Sequence, residues 1–483
     1  MQKDFKNLFK HSSIYTIGNV LKMSIGIILV PLYTMYIKVS DFGIYSIFSV
    51  TIQFLPQLLL LGLFQASLRW YSLKNEKQGS ILFTTLFYTI VVHLLLLLIM
   101  TYGVNVFNSY HQINVQIKAI LYLFPIIIGL NLHEYLLTSF FMHKQMSIGF
   151  VVIMLLNVFI QLVVTIFLVA YRQMGILGIF YGQTFGLALS VVLKFIVVRK
   201  YLVFYLDFNE FREMIKFGYP LSISTVSKNF LEISDRYILS GLTNMAVVGC
   251  YDLGYKFAKL VKNIMINSFH ISLKPILWEK VKDNNFSEFH TKVITYYSIL
   301  ITWIALFLTI FAKEIIYGFS KNSDYFSAYK IIGLVTFAIS IKGLFPLFRI
   351  IFEIKQKTKY IPFIVTFAGI LNIILNIILI PKFEMMGAAY SLFISYLLII
   401  IFSFYFSNKL MHIKIEFRKI VSIVLSSICL IIFAKIIFDF PFIYRIFLKI
   451  IFIVSYPILL YLLKVFDRKE IAIIKDVLKN TKL

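Results

Sequence analysis

Apolar residues run in stretches of about twenty along this chain, separated by short polar breaks. Twenty residues at a rise of about 1.5 Å cover the ~30 Å of a hydrocarbon core. The stretches therefore predict membrane-spanning helices, at about 12–36, 43–66, 80–102, 118–141, 147–171, 174–197, 216–242, 247–270, 293–312, 328–350, 360–381, 386–407, 418–437 and 441–463. A barrel would alternate over strands of about ten residues, and the long Ile/Leu/Phe runs such as 370–380 are the opposite pattern. The expected fold is an all-α polytopic membrane protein of about 14 transmembrane helices.

Composition agrees, with 60% apolar and 14% charged residues against roughly a quarter charged in soluble domains. The net charge of +25 could suggest nucleic acid. With the N-terminus placed in the cytoplasm, however, 30 of the 47 Lys and Arg fall on the inner side, 9 outside and 8 within spans. That asymmetry is topology signal, with both termini cytoplasmic and no nucleic-acid partner. The basic segments Lys194–Lys216 and Lys464–Lys482 read as anchors on anionic membrane lipids. Lys3, Lys6 and Lys10 precede the first span without a small-residue cleavage site, so that span is expected to stay as an anchor.

Chemistry is sparse. Cys250 and Cys429 lie in different spans, which gives neither disulfide framework nor metal cluster. Neither HExxH nor GxxxxGK[ST] occurs. No connection is long enough for a soluble catalytic domain. Neither enzyme activity, metal nor organic cofactor is expected.

The two halves repeat. Ser40-Asp41-Phe42-Gly43-Ile44-Tyr45 enters the second span as Val247-Val248-Gly249-Cys250-Tyr251 enters the eighth. Leu156-Asn157-Val158-Phe159-Ile160-Gln161 matches Leu371-Asn372-Ile373-Ile374-Leu375-Asn376, and after each a short turn leads into small residues, Gly175-Ile176-Leu177-Gly178 in one and Gly387-Ala388-Ala389 in the other. Six spans per half make the repeats parallel, with a substrate site expected in a cleft between them. The expected organisation is 1–200, 201–412 and a C-terminal helix pair with basic tail over 413–483.

Several of these pieces, spread over about the first 410 residues, resemble one family. They are Ile17-Gly18-Asn19, Val30-Pro31-Leu32-Tyr33, Asp41-Phe42-Gly43-Ile44-Tyr45, Leu61-Gly62-Leu63-Phe64-Gln65-Ala66 through Arg69 and Tyr71, Phe217-Gly218-Tyr219-Pro220, Ser234-Asp235-Arg236, and Asn372-x-x-Leu375-Asn376-x-x-x-Ile380-Pro381 closed by Gly387-Ala388-Ala389. In order, they resemble the polysaccharide exporters, or lipid-linked oligosaccharide flippases, of the superfamily that includes multidrug and toxin extrusion transporters. The resemblance implies a V-shaped two-lobe transporter of the bacterial cytoplasmic (inner) membrane. Its implied cargo is undecaprenyl-diphosphate-linked oligosaccharide for O-antigen, capsule or exopolysaccharide, with a polymerase and glycosyltransferases as pathway partners. Glu384 departs from the pattern, where glycine is usual, and a differently shaped turn is expected there. The first helix also lacks the arginine that lipid II flippases carry. Asn372 and Asn376, four apart, are expected to bond between helices.

Ionisable groups inside spans cost roughly 2.5–3.5 kcal/mol each and need an interior or a water-filled cavity. At 100° per residue, Lys228, Glu232, Asp235 and Arg236 share one face of span seven. Asp252, Lys256, Lys259, Asn263, Asn267 and His270 share one face of span eight. Pairs four apart neutralise some of them: Lys228 with Glu232, Glu232 with Arg236, Asp252 with Lys256. Lys22, Lys259 and Lys342 are left over. Lys22, Lys228, Arg236, Lys256, Lys259 and Lys342 are therefore the expected cationic cleft for a diphosphate or acidic sugars, with Tyr15, Asn19, Gln53 and Asn263 as its polar lining. His133, Glu134, Glu232, Asp235 and Asp252 are candidate charge partners or carriers of a coupling ion, H+ or Na+. Arg69 reads as a snorkelling anchor. A cation antiporter of the sister family is the main alternative, against which the basic intramembrane balance argues. A polytopic polymerase or glycosyltransferase is a second, and no large outer loop supports it.

Overall fold

A computed structural model describes Gly18, Leu21 and residues 26–467 other than Lys282, Asn284, Phe438 and Asp439, with backbone alone at Ser224, Ser227, Lys228 and Ile264. Tyr15, Asn19 and Lys22 lie outside the described residues. No strand occurs among those described. The helices are α1 (Gly26–Tyr36), α2 (Val39–Leu59), α3 (Leu63–Leu73), α4 (Gln78–Tyr110), α5 (Val115–His143), α6 (Ser147–Ile166), α7 (Ile176–Val198), α8 (Phe208–Leu242), α9 (Met245–Val261), α10 (Asn267–Lys280), α11 (Phe286–Ile310), α12 (Ala312–Phe319), α13 (Tyr329–Lys342), α14 (Phe345–Ile354), α15 (Tyr360–Leu410), α16 (Phe417–Ile436) and α17 (Phe442–Leu462).

Ten described segments are long and apolar enough to cross a membrane. One of them, α15, has 51 residues and contains two of the expected spans. Spans seven and eight are absent from the ten because their helices, α8 and α9–α10, carry the ionisable stripes. Of span one only its latter part, α1, is described.

The helices pack as two compact units, Met1–Asp252 with Phe319–Tyr325, and Leu253–Gly318 with Phe326–Leu483. This grouping concerns packing, whereas the division at 200 and 412 concerns repeats.

In the first unit, Leu61 and Gly62 take φ of 49° and 78°, which interrupts the second span between α2 and α3. The break brings Gly62 against Gly218 of α8, where a Cβ on either would enter the other's backbone. Two pieces of the family pattern thus touch. α8 begins at Asp207, whose side chain accepts from the Glu210 amide at 3.1 Å and caps the helix. It then runs along α2 and α3, with Tyr237 bonded to Thr51, Asn229 to Gln57, and Phe230 against Phe54. Near its start Glu210 accepts from Trp70 Nε1 at 2.9 Å and from Lys77 at 3.2 Å. Burial pushes the Glu210 carboxyl up, but the Trp70, Lys77 and Lys74 donors outweigh it and hold it below its ordinary value. Arg69 is exposed but lays its guanidinium 4.4 Å from the Phe217 ring centre, a cation–π seat on α8.

Apolar lipid tails give helices no hydrophobic reason to associate, so close backbone packing does the work. On α7, Gly178, Gly182, Gly186 and Ser190 form a buried stripe at four-residue spacing. Asn157 of α6 lies against Gly186 and Gln161 against Gly182. The second repeat carries the same stripe as Gly387, Ser391 and Ser395 of α15, all buried. Before each stripe the backbone turns alike: Gly175 at φ 56°, ψ −138°, and Glu384 at φ 48°, ψ −126°. The expectation of a differently shaped turn at Glu384 is thus corrected, since the glutamate adopts the conformation that glycine takes in the other repeat. A side chain there costs of order 1–3 kcal/mol. Glu384→Gly should raise the melting temperature of detergent-purified protein by the equivalent of about 1 kcal/mol, while Glu384→Ala should gain nothing. Equal gains from both would assign the effect to charge instead.

In the second unit, α13 packs on α15, and α16 and α17 close against α11 through Leu306, Ile310, Ile423, Leu430, Tyr456 and Leu460. Glu314 of α12 ties α17 in place, accepting from Lys449 at 2.8 Å and lying in an ion pair 3.2 Å from Arg445. Asn372 and Asn376 are fully buried and bond to each other along α15 at 3.1 Å. That corrects the expected bond between helices: two amides four apart on one face meet each other first.

Candidate functional site

Intramembrane polar groups gather in three places. The first lies on α4, α5 and α7. Glu134 of α5 forms an ion pair with Lys194 of α7 and accepts from Ser190 at 3.0 Å. Lys194 also donates to Thr138 at 2.8 Å, sits 4.8 Å from the Phe150 ring centre, and is completely buried. The expected lipid anchor at Lys194 is therefore corrected, because its position on the small-residue stripe of α7 turns it inward. Next to Glu134 in α5, His133 has its Nδ1 2.9 Å from Thr89 Oγ1 and its Nε2 3.3 Å from Nδ1 of His93.

The second cluster is formed by α8 and the start of α9. Arg236 donates through Nη1 to Asp235 at 3.0 Å and to the Glu232 carbonyl at 3.1 Å, and through Nε to Asp252 at 3.2 Å. The Tyr251 hydroxyl donates to Asp235. Arg236, Asp235 and Asp252 are all at least 95% buried. Arg236 was expected as a path-lining cation pairing with Glu232 four residues back. Its guanidinium is shared by two carboxylates, one adjacent and one on α9. Such a group braces two helices.

The third set is in the second unit. Lys256 and Lys259 are half-buried on α9. The following turn, Lys262–Ile266, is π-helical, and the extra residue in that turn swings the chain back by about 100°. The expected single stripe is thereby split. Asn263 and Asn267 stay neighbours at 3.4 Å, while His270 turns to the Gly343 carbonyl at 2.7 Å and against Tyr297. Lys342 donates to the Tyr396 hydroxyl at 3.1 Å, with its ammonium 4.4 Å from that ring's centre. A phenol oxygen and a π-face both attract a cation. Gln53 is exposed on α2. Lys228 is placed on α8 by its backbone. Thr138, Tyr251, Tyr396 and His93 escaped the sequence reading because each meets its partner across helices. No group of three or more His, Cys, Asp or Glu suited to a metal occurs among the described residues.

The family model of polysaccharide biosynthesis proteins matches residues 8–280, more than half of the chain. The chain belongs to this family. Its match spans the first two clusters together with Lys256 and Lys259. Among solved structures, a lipid II flippase, MurJ, in an inward closed conformation aligns with TM-score 0.75 at 16% identity, over 92% of this chain and 98% of that one. An inward-facing multidrug resistance MATE family transporter aligns with TM-score 0.61 at 11% identity, over 84% and 96%. At these identities the likeness is one of fold alone. An uncharacterized membrane protein of Methanocaldococcus jannaschii is 30% identical over 162 residues, 32% of this chain. The chain spans about 30% of that relative's length.

Proposed function

We propose that this member of the polysaccharide biosynthesis family is a flippase rather than an enzyme. It moves undecaprenyl-diphosphate-linked oligosaccharide repeat units from the inner to the outer leaflet of a bacterial cytoplasmic membrane by alternating access, for O-antigen, capsule or exopolysaccharide. In this proposal 1–200 and 201–412 are the two repeats, 413–483 is added to them, and H+ or Na+ drives the cycle. A polymerase and glycosyltransferases act on the same glycan. The family match supports polysaccharide handling. The observation that supports the lipid-diphosphate cargo is the retention of lysines within the spans, among them Lys342, which donates to the Tyr396 hydroxyl at 3.1 Å. A diphosphate is the anion such lysines suit. Lys22, Lys228, Lys256 and Lys259 are assigned the same role, and Tyr15, Asn19, Gln53 and Asn263 the glycan. Arg236, Glu232, Asp235 and Asp252 are assigned to bracing.

In a strain lacking its own repeat-unit flippase and supplied with the matching glycan pathway, the protein should restore surface glycan. Lys342→Ala and Lys22→Ala should each reduce export at least about tenfold at normal protein level, a loss of ~1.4 kcal/mol. Lys342→Arg should keep more function than Lys342→Gln. Wild-type export by Lys342→Ala would remove that residue from the site, and cationic-dye efflux in place of glycan export would overturn the reading.

A further inference from the structure

Thr89 and His93 are one turn apart near the middle of α4, and His133 faces them from the middle of α5. The hydroxyl of Thr89 has one proton, and it donates to the Leu86 carbonyl at 2.8 Å. Toward His133 Nδ1, at 2.9 Å, that oxygen is therefore an acceptor, so His133 carries its proton on Nδ1 and leaves Nε2 bare. The bare Nε2 faces His93 Nδ1 at 3.3 Å, so His93 in turn donates from Nδ1. The chain of donors runs in one direction and ends at His93 Nε2. That nitrogen is buried and has no hydrogen-bond partner. The His93 ring is pressed against Gly129 of α5, where any Cβ would enter the ring.

We propose that His93 and His133, oriented by Thr89, form a site that takes up one proton at His93 Nε2. Protonation makes His93 a cation whose Nδ1–H bond to the neutral His133 is strengthened. A second proton would have to sit on His133 Nε2, where it would destroy that bond and set two imidazolium ions face to face. The pair therefore titrates as a unit. The other ionisable groups on the elements packed here are engaged elsewhere or lie at helix ends. Glu134 is paired with Lys194 of α7, and the Tyr88 hydroxyl donates to the Leu59 carbonyl. Tyr135 of α5 stacks on Phe64 of α3, and Tyr71 of α3 on Phe140. Arg69 of α3 sits over Phe217, and Asp207 and Glu210 beside α8 bind Lys77. His143 at the end of α5 meets Gln78. A neutral site with one open acceptor at mid-span suits coupling of transport to a proton gradient, a step that rests on the proposed flippase reading, whereas proton uptake itself does not.

The test is a titration of 15N-histidine-labelled full-length protein in lipid vesicles between about pH 4 and pH 9, followed by imidazole NMR. Wild type should gain one imidazolium that His93→Gln removes. His133→Gln should remove or displace the same titration, and the double variant should lose no more than His93→Gln does. Thr89→Val keeps both rings and the side-chain shape, and should shift His133 away from its Nδ1–H tautomer. Independent titration of the two rings, or a His93 titration unmoved by His133→Gln, overturns the proposal, as does an unchanged tautomer in Thr89→Val. If the pair titrates as a unit while surface glycan export is absent, the flippase reading fails and the proton site stands.

Discussion

Replacing Gly249 by valine is expected to lower the melting temperature of the folded protein severely. Gly249 begins the second inward turn of α9, and Gly43 occupies the same place in α2. The two helices cross there with reciprocal contact: a Cβ on Gly249 would enter the Val39 carbonyl and lie 3.2 Å from the Gly43 amide nitrogen, while one on Gly43 would enter the Met245 carbonyl and lie 3.2 Å from the Gly249 amide nitrogen. These neighbours are backbone, which cannot rotate aside, so the helices must part. Overpacking of this kind costs about 1–3 kcal/mol even where flexible side chains can yield, and lipid supplies no compensating drive for reassociation. Thermal unfolding monitored by size-exclusion retention should show Gly249→Ala clearly destabilised and Gly249→Val worse. Gly43→Ala combined with Gly249→Ala should cost less than the two single losses together, since either opens the same crossing. A wild-type melting temperature for Gly249→Val would show that the crossing does not form.

The same pair of glycines marks the boundary of what sequence conveys. Gly43 and Gly249 are visible as one motif occurring twice, and the number of spans is visible because the bilayer fixes helix length. That the motif meets its own repeat, two hundred residues away, is a tertiary fact with no trace in periodicity. The stripe reasoning failed in two physical ways. It searched for partners four residues along one helix, whereas Arg236 takes its carboxylates from the neighbouring position and from α9. It also assumed a constant 100° per residue, whereas the π turn at Lys262–Ile266 breaks the phase. Positive charge near a predicted cytoplasmic end also read as lipid-facing at Lys194, although the four-residue spacing from Gly178 through Ser190 already placed that lysine on the buried face of α7. Tyr15, Asn19 and Lys22 fall outside the described residues, so the first-span part of the expected lining stands on sequence alone.

Lys194 is also where the second large effect is expected. Its ammonium is fully buried, and Glu134 and Thr138 both accept from it. Removing the acid takes from a fully buried cation its carboxylate partner, and removing the lysine leaves a partly exposed carboxylate with Ser190 as a donor. Breaking one side of a buried pair costs about 3–5 kcal/mol, because the remaining charge loses its partner without regaining water. Glu134→Leu and Lys194→Met should each fall sharply in melting temperature, with the double variant Glu134→Leu/Lys194→Met recovering most of the loss. Recovery identifies the pair as a structural brace, which in turn leaves the neighbouring His93–His133 pair, with its proton taken up at His93, as the site here proposed to change its charge. If the double variant is instead as stable as wild type but exports no glycan, the pair belongs to the transport path. Two independent, additive losses would refute the interaction altogether.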